Sequence, residues 1–560
     1  MSTMGVNKSK TIDILVLCLV LALNLELCTC KTVTVPLVIS EGAVAPDNYE
    51  QTGILINGQF PGPPIVVDKN DIVVLQVVNL LPRGFAMHMH GVLQRESIDA
   101  DGAPHITQEP IAPNSTYTHR FNVGHQSGTF MYHAHTDLDL VWAFGPLIVL
   151  EDEETINSTM QYDGEVTLVL SQCWHVPISE ILNGLTGAPF EDVPDTASLL
   201  INGRSWGEWE GHRHKANSTN GKEGTHSDGY EVITVKQNET YRFRVIGLGM
   251  DSMLAFTIEN HTDLQIVEVD GTLVDPVSAD YLQLNSAQRY SVLVKMDQPI
   301  GNYWIRSEML PGPGPQNGRA ILHYEGADDP LEMRKQVFSG ETDELELDNW
   351  VLSELHPRNN LTSGNELVYP VPQTIRREIT ISSSQRVSLD NTTKFDINGG
   401  LHRHKGPSLL HQVLAGQDIL TDRENGVFEL IIGEAVQIVF QNSMSDEGEC
   451  EQHPWHLHGH TFYIVGSGPD GYDRVVDGGR INEEIRAANG THVFRFRDVV
   501  TLFPAQTVEN TTVGAPCGWS AIRLVADNVG IWLAHCHLTP HQIMGKWFVL
   551  YEHDERKRLY

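Results

Sequence analysis

Four His-x-His pairs constrain this 560-residue chain more than any other feature. They are His88-Met89-His90, His133-Ala134-His135, His456-Leu457-His458 and His535-Cys536-His537. In a β-strand, residues i and i+2 point to one face, so each pair aims two imidazoles at one site. A single pair usually reflects surface histidines. Four, split between the first and last parts of the chain, call for strands that share metal, and eight imidazoles suit more than one ion. Strand alternation also turns Cys536 away from the histidines beside it. One backbone segment then serves two sites, two imidazoles on one side and a thiolate on the other. His453 and His541 complete a Cys-plus-two-His set, the trigonal donors of a blue-copper centre. A free cysteine is more often simply buried among apolar groups, but the flanking histidines make that reading poor here. Zinc fits less well, because a hydrolytic zinc site needs about three protein ligands and structural zinc prefers more thiolates. The chain has no His-Glu-x-x-His or P-loop motif.

The rest of the chain predicts an all-β fold of sandwiches or barrels. Runs such as Ile72–Val78, Val166–Leu170, Tyr290–Val294 and Phe428–Ile432 are rich in β-branched residues, and Gly, Pro and Asn punctuate them at short intervals. No long amphipathic helical stretch stands out. Three sections, 31–153, 160–328 and 370–560, each close on a Gly-led or Ala-led apolar strand followed by charge, which suggests a repeated module. Residues 327–375 are polar and acidic and read as a connection. The run Pro311-Gly312-Pro313-Gly314-Pro315 reads as a turn-rich excursion.

Charge and compartment narrow the partners. The formal net charge of −34 argues against binding nucleic acid, whose phosphates would be repelled. Lys8 and Lys10 precede an apolar stretch from Ile12 to Leu27, and small Cys28 and Cys30 precede Lys31. Residues 1–30 therefore read as a cleaved secretion signal, and Asp13, Asn24 and Glu26 weaken any stable membrane span. Asn114, Asn157, Asn217, Asn238, Asn260, Asn360, Asn391, Asn489 and Asn510 begin glycosylation sequons, which fits an extracellular glycoprotein. Cys450 and Cys517 are the candidate disulfide.

Taken together, the histidine motifs resemble the multicopper oxidase family, in its laccase and ascorbate oxidase branch. The resemblance rests on His88-Met89-His90-Gly91, Gly128–His135, His453-Pro454-Trp455-His456-Leu457-His458-Gly459-His460 and His535-Cys536-His537 with His541. Asn57–Pro63 and Asp527-Asn528 support it. It implies three cupredoxin domains and four copper ions. Type 1 copper would be held by His453, Cys536 and His541, and type 2 copper by His88 and His456. The type 3 pair would be held by His90, His133, His135, His458, His535 and His537. A small-molecule reductant would give single electrons to type 1 copper past His541. Cys536, His535 and His537 would pass them to the other ions, where dioxygen is reduced to water. Asp101 matches a family acid near that cluster, although an Asp before Gly is also a common turn.

Several positions depart from the family pattern. Met89 replaces a usual Trp, and Glu109 replaces a cysteine that forms a disulfide in the plant enzymes. Thr539 stands where an acid often lies on the proton route. Lys546 stands ten residues after Cys536, where the family has Met, Leu or Phe beside type 1 copper; Met544 is nearby at the wrong spacing. The runs His212–Lys215 and His402–Lys405 match no ligand position and read as exposed loop. Trp174-His175 resembles a segment near the family's substrate pocket, and Glu191, Asp192 and Asp195 lie in the loop that follows. Three functions are open at this level: oxidation of phenols, other aromatics or ascorbate; oxidation of ferrous iron; or a copper protein without catalysis. The intact ligand set disfavours the last. Oligomeric state is not legible.

Overall fold

The computed structural model describes residues 30–209, 229–310, 314–338, 355–357, 370–388, 390–402, 406–421, 426–445, 448–488, 495–504 and 512–554. The signal reading at 1–29, the run at 212–215, residues 403–405 and 311–313, and the sequons at Asn217, Asn360, Asn489 and Asn510 lie outside those residues.

The all-β expectation holds. Among the described residues, thirty strands form six sheets, two each from strands lying within 32–150, 164–324 and 377–553. In the first set, Thr32–Val44 runs parallel to Ile72–Asn79, which runs antiparallel to Ser115–Asn122. The strand Ile72–Asn79 shows the cause in its sequence: Val73, Leu75 and Val77 alternate inward, with the intervening residues turned toward solvent. Each set encloses an apolar core, the second around Phe243, Phe256, Leu284 and Val292, the third around Trp455, Trp532, Ile438 and Phe548. The sequence hid several short helices. The longest is Val476–Ala488, which buries Ile481 and Ile485; its glycines and charges mask the helical period. Among the described residues, no helix is long and apolar enough to cross a membrane.

Cys450 and Cys517 form the expected disulfide. The sequons at Asn114, Asn157, Asn238, Asn260 and Asn391 are all exposed. Charged contacts tie the three sets together. Arg242 and Arg244 reach Glu151, while Arg289 clasps Asp498 at 2.7 Å through both of its terminal nitrogens. Glu109, at the lost cysteine position, instead accepts a hydrogen bond from the Ser408 amide at 2.5 Å. A polar contact thus joins the first and last parts of the chain at that point.

Candidate metal centre

Strand register delivers the histidines. Met87–His90 pairs antiparallel with Gly128–Ala134, setting His88 directly opposite His133. Residues opposite each other share a face, as do residues two apart, so His88, His90, His133 and His135 converge. In the last set, His453–Leu457 pairs antiparallel with Gly530–Cys536, placing His456 opposite His535 and Trp455 opposite Cys536. Alternation then divides this strand pair. His456, His458, His535 and His537 face one way, and His453, Trp455 and Cys536 the other. The split expected at Cys536 from sequence is observed.

The first face completes three donor groups with the histidines of the first set. These are His88 with His90 and His456; His90 with His133 and His537; and His135 with His458 and His535. Within each, one candidate ligand atom per residue lies within 4.8 Å of the others. All eight rings are buried. Most hold one nitrogen by a hydrogen bond and leave the other bare. His88 Nδ1 meets the Asp101 carbonyl oxygen at 2.6 Å, His133 Nδ1 that of Ala134 at 2.9 Å, and His456 Nδ1 that of Asp498 at 2.8 Å. Their Nε2 atoms have no hydrogen-bond partner. His537 Nδ1 meets Ser286 Oγ at 3.0 Å, and its Nε2 is also bare. Buried polar atoms left without partners are costly, so nitrogens collected at one place mark where cations sit. The outward hydrogen bonds fix which nitrogen faces the metal, as outer partners of metal-binding histidines do. Burial, reinforced by mutual repulsion, holds His88, His90, His456, His458 and His537 well below the ordinary histidine pKa. Neutral imidazole is the form that binds metal.

Asp101 lies inside this cluster. Both carboxylate oxygens are 3.0 Å from His458 Nδ1, and burial raises its pKa. The turn reading holds, and the turn sets the carboxylate against the histidine cluster. Gly102 adopts φ +84°, and a Cβ there would meet the Met87 carbonyl oxygen at 1.8 Å. Only glycine lets this turn press the acid against the histidine strand. Asn528 donates to the carbonyls of Leu93 and Gly459, pinning the turn after His458.

The opposite face holds His453, Cys536 and His541. Cys536 Sγ is 3.8 Å from His453 Nδ1 and 3.7 Å from His541 Nδ1, and the two nitrogens are 3.2 Å apart. Burial, partly opposed by Lys546, pushes the Cys536 thiol up to about 12, and burial together with the Lys546 charge draws His541 down to about 3. A thiolate in that place requires a cation, and metal binding would displace the proton. These donors suit copper through their soft sulfur and two imidazoles.

Sequence reasoning missed several residues here. Asp498 Oδ1 lies 3.6 Å from His90 Nε2, and burial raises its carboxyl to about 6. Ser286 and Arg289 come from the second set of sheets. Phe395 packs on both His453 and His541, with ring centroids 6.2 and 5.0 Å away. The one available signal was the charged pair Arg497-Asp498 inside the apolar run from Phe496 to Val500. The expectation for Trp174-His175 needs correction. Trp174 is buried and donates to the Pro194 carbonyl, bracing the loop that carries Asp192. His175 pairs with buried Asp47 at 2.7 Å and stacks on Tyr49. Neither lines the cleft beside His541, whereas Asp192 does.

Comparison with known proteins agrees with this geometry. Three multicopper oxidase family models match residues 38–154, 164–327 and 386–556. The chain is 31% identical to the L-ascorbate oxidase of Cucurbita pepo var. melopepo, over 91% of this chain and 93% of that enzyme. It is 30% identical to laccase-2 of Agaricus bisporus, over 91% and 88%. The crystal structure of the laccase from Botrytis aclada superposes with a TM-score of 0.75 at 26% identity, covering 95% of this chain and 89% of that one.

Proposed function

The chain belongs to the multicopper oxidase family, a copper-dependent oxidoreductase with oxygen as acceptor, and on that premise we propose that it oxidises small phenolic reductants at His541. Its cofactors are type 1 and type 2 copper and a type 3 pair. When bound, they supply one-electron acceptance and the four-electron reduction of dioxygen to water. The type 1 ligands are His453, Cys536 and His541; the type 2 ligands are His88 and His456. The type 3 ligands are His90, His133 and His537 on one side, with His135, His458 and His535 on the other. The partition is supported by the three buried donor groups.

The chain's own residues act as follows. Cys536 carries electrons through its backbone to His535 and His537, because sulfur and both imidazoles sit on consecutive residues. Asp101 orients His458 and, as a buried acid, holds a proton beside the oxygen-reducing cluster. Asp498 adds a second buried acid beside His90, which suits a chain that has Thr539 where an acid is usual. Units spanning 31–153, 160–328 and 370–560 each supply part of this machinery.

The observation that carries the substrate reading is a cleft of about 350 Å³ at His541. Val193, Leu310, Pro504, Leu538 and Pro540 wall it, and Asp192, Asp251, Glu449 and Glu451 are its charged residues. Apolar walls with carboxylate acceptors suit a neutral phenol. Ascorbate, an anion, meets four carboxylates and no Lys or Arg in the described lining. A second reading, ferrous iron as reductant, is favoured by Glu451, whose Oε2 is 3.5 Å from His541 Nε2. Secretion is supported by the disulfide and the exposed sequons. Oxygen consumption by copper-loaded protein, with a methoxyphenol, ascorbate and ferrous iron in parallel, tests the reading. The phenol should drive the fastest uptake and ascorbate the slowest. Dominant iron oxidation moves the assignment to the second reading, and no uptake with any reductant sinks both.

A further inference from the structure

Lys546 is 1% exposed, yet no role above uses it. Its place is set by the backbone. Gly530–Cys536 and Trp547–His553 pair antiparallel with His535 opposite Trp547. The next step outward sets Cys536 beside Lys546, whose carbonyl accepts from the Cys536 amide at 3.0 Å. The Lys546 amide in turn donates to the His541 carbonyl at 2.9 Å. Cross-strand neighbours share a face, so the lysine stem follows the cysteine toward the Cys536–His453–His541 group.

The ammonium makes no hydrogen bond or ion pair with the described residues. It lies over the Phe395 ring, 4.4 Å from the centroid. The same ring contacts His453 and His541. An aromatic face attracts a cation, the more so when the pair is shielded from water. This geometry seats the nitrogen on the ring that His453 and His541 also touch.

Resting on the assignment of type 1 copper to Cys536, His453 and His541, we propose that Lys546 tunes that ion's electron affinity through the charge of its ammonium and donates no ligand. The balance is simple. One electron leaves the reductant and enters the copper–thiolate unit, whose net charge falls from +1 to 0. A fixed positive charge beside the unit opposes the oxidised form more than the reduced one, so it favours electron uptake. Lysine ordinarily carries its charge at pH 6, and the Phe395 face beneath the nitrogen favours that form. Lys546 is a positioning residue, and its effect is on potential.

The test is spectroelectrochemical titration of the copper-loaded protein at pH 6, reading the thiolate-to-copper absorption. Lys546→Leu should make the type 1 site at least tenfold harder to reduce, a fall of about 59 mV or more for one electron. Lys546→Arg, which keeps the charge, should stay close to the wild type. A Leu variant whose potential is unchanged or higher overturns the proposal, as does an Arg variant that falls equally. Should either variant misfold, wild-type protein labelled with 15N at the lysine ε-position gives an independent answer by electron–nuclear double resonance. Only two strongly coupled imidazole nitrogens are expected; a strongly coupled lysine nitrogen means that the amine binds copper and overturns the proposal. Absence of any type 1 signal in wild-type protein overturns the site assignment as well, which separates that failure from the others.

Discussion

The two faces of one strand pair, His453–Leu457 with Gly530–Cys536, differ sharply in how they hold a metal. On one face, four histidines meet four more from the first set of sheets, and every ring is buried. Outer partners come from all three sets: Asp101, Ser286 and Asp498. On the other face, the three candidate ligands all come from the last set, and His541 borders an acidic cleft. The difference teaches a division of labour. On the proposed assignment, the interior face excludes water and fixes many ligands at once, as oxygen reduction needs. The outer face stays near the surface, where a reductant arrives. Period-2 alternation keeps the two apart by no more than the thickness of a strand.

The comparison breaks first at the residue the faces share. Cys536→Ser should abolish turnover and the thiolate-to-copper absorption while leaving type 2 and type 3 copper bound. Copper content and electron paramagnetic resonance of the same sample check this. Loss of every ion would mean that the faces are not independent.

The interior face depends on contacts between sets of sheets, so Arg289→Met should be the next largest effect. It leaves Asp498 buried without its bidentate partner. Removing one member of such a pair costs about 3–5 kcal/mol, read as a lowered denaturation midpoint. The type 1 absorption of the surviving folded protein should be unchanged.

Asp101→Asn sharpens the interior face alone. The outer partner of a metal-bound histidine is worth about 10–100-fold in metal affinity or activity. Oxygen reduction should fall by that range, while reduction of type 1 copper by substrate under anaerobic conditions keeps its rate.

The smallest effect belongs to the outer face. Glu451→Gln should raise KM for ferrous iron two- to fivefold, the ~1 kcal/mol scale of a partly exposed charge interaction, and leave KM for a neutral phenol unchanged. Equal changes for both would mean that the carboxylate does not sense substrate charge.

Much of this was legible in the sequence because it is local. His-x-His states its own face, and His-Cys-His states the split between two faces within three residues. Asp101 was legible only through the family resemblance, since Asp before Gly by itself marks no more than a turn. The strands were legible in runs such as Ile72–Val78, whose alternation the structure keeps. Ser286, Arg289, Asp498 and Phe395 were not, because each arrives from a distant element and belongs to a residue type common elsewhere. Trp174 misled for a related reason: its position along the chain suggested a pocket wall, and packing under the Asp192 loop won. The helix Val476–Ala488 was hidden by Gly478, Gly479 and its charges.

Electron paramagnetic resonance of fully copper-loaded protein, wild type beside Cys536→Ser, bears most directly on the two-faced strand pair. The wild type should give two distinct cupric signals, one with the narrow hyperfine coupling of a thiolate site. Cys536→Ser should remove that signal alone and leave the broad type 2 signal in place. A single signal in the wild type, or a narrow signal that survives the substitution, would contradict the assignment of separate sites to the two faces.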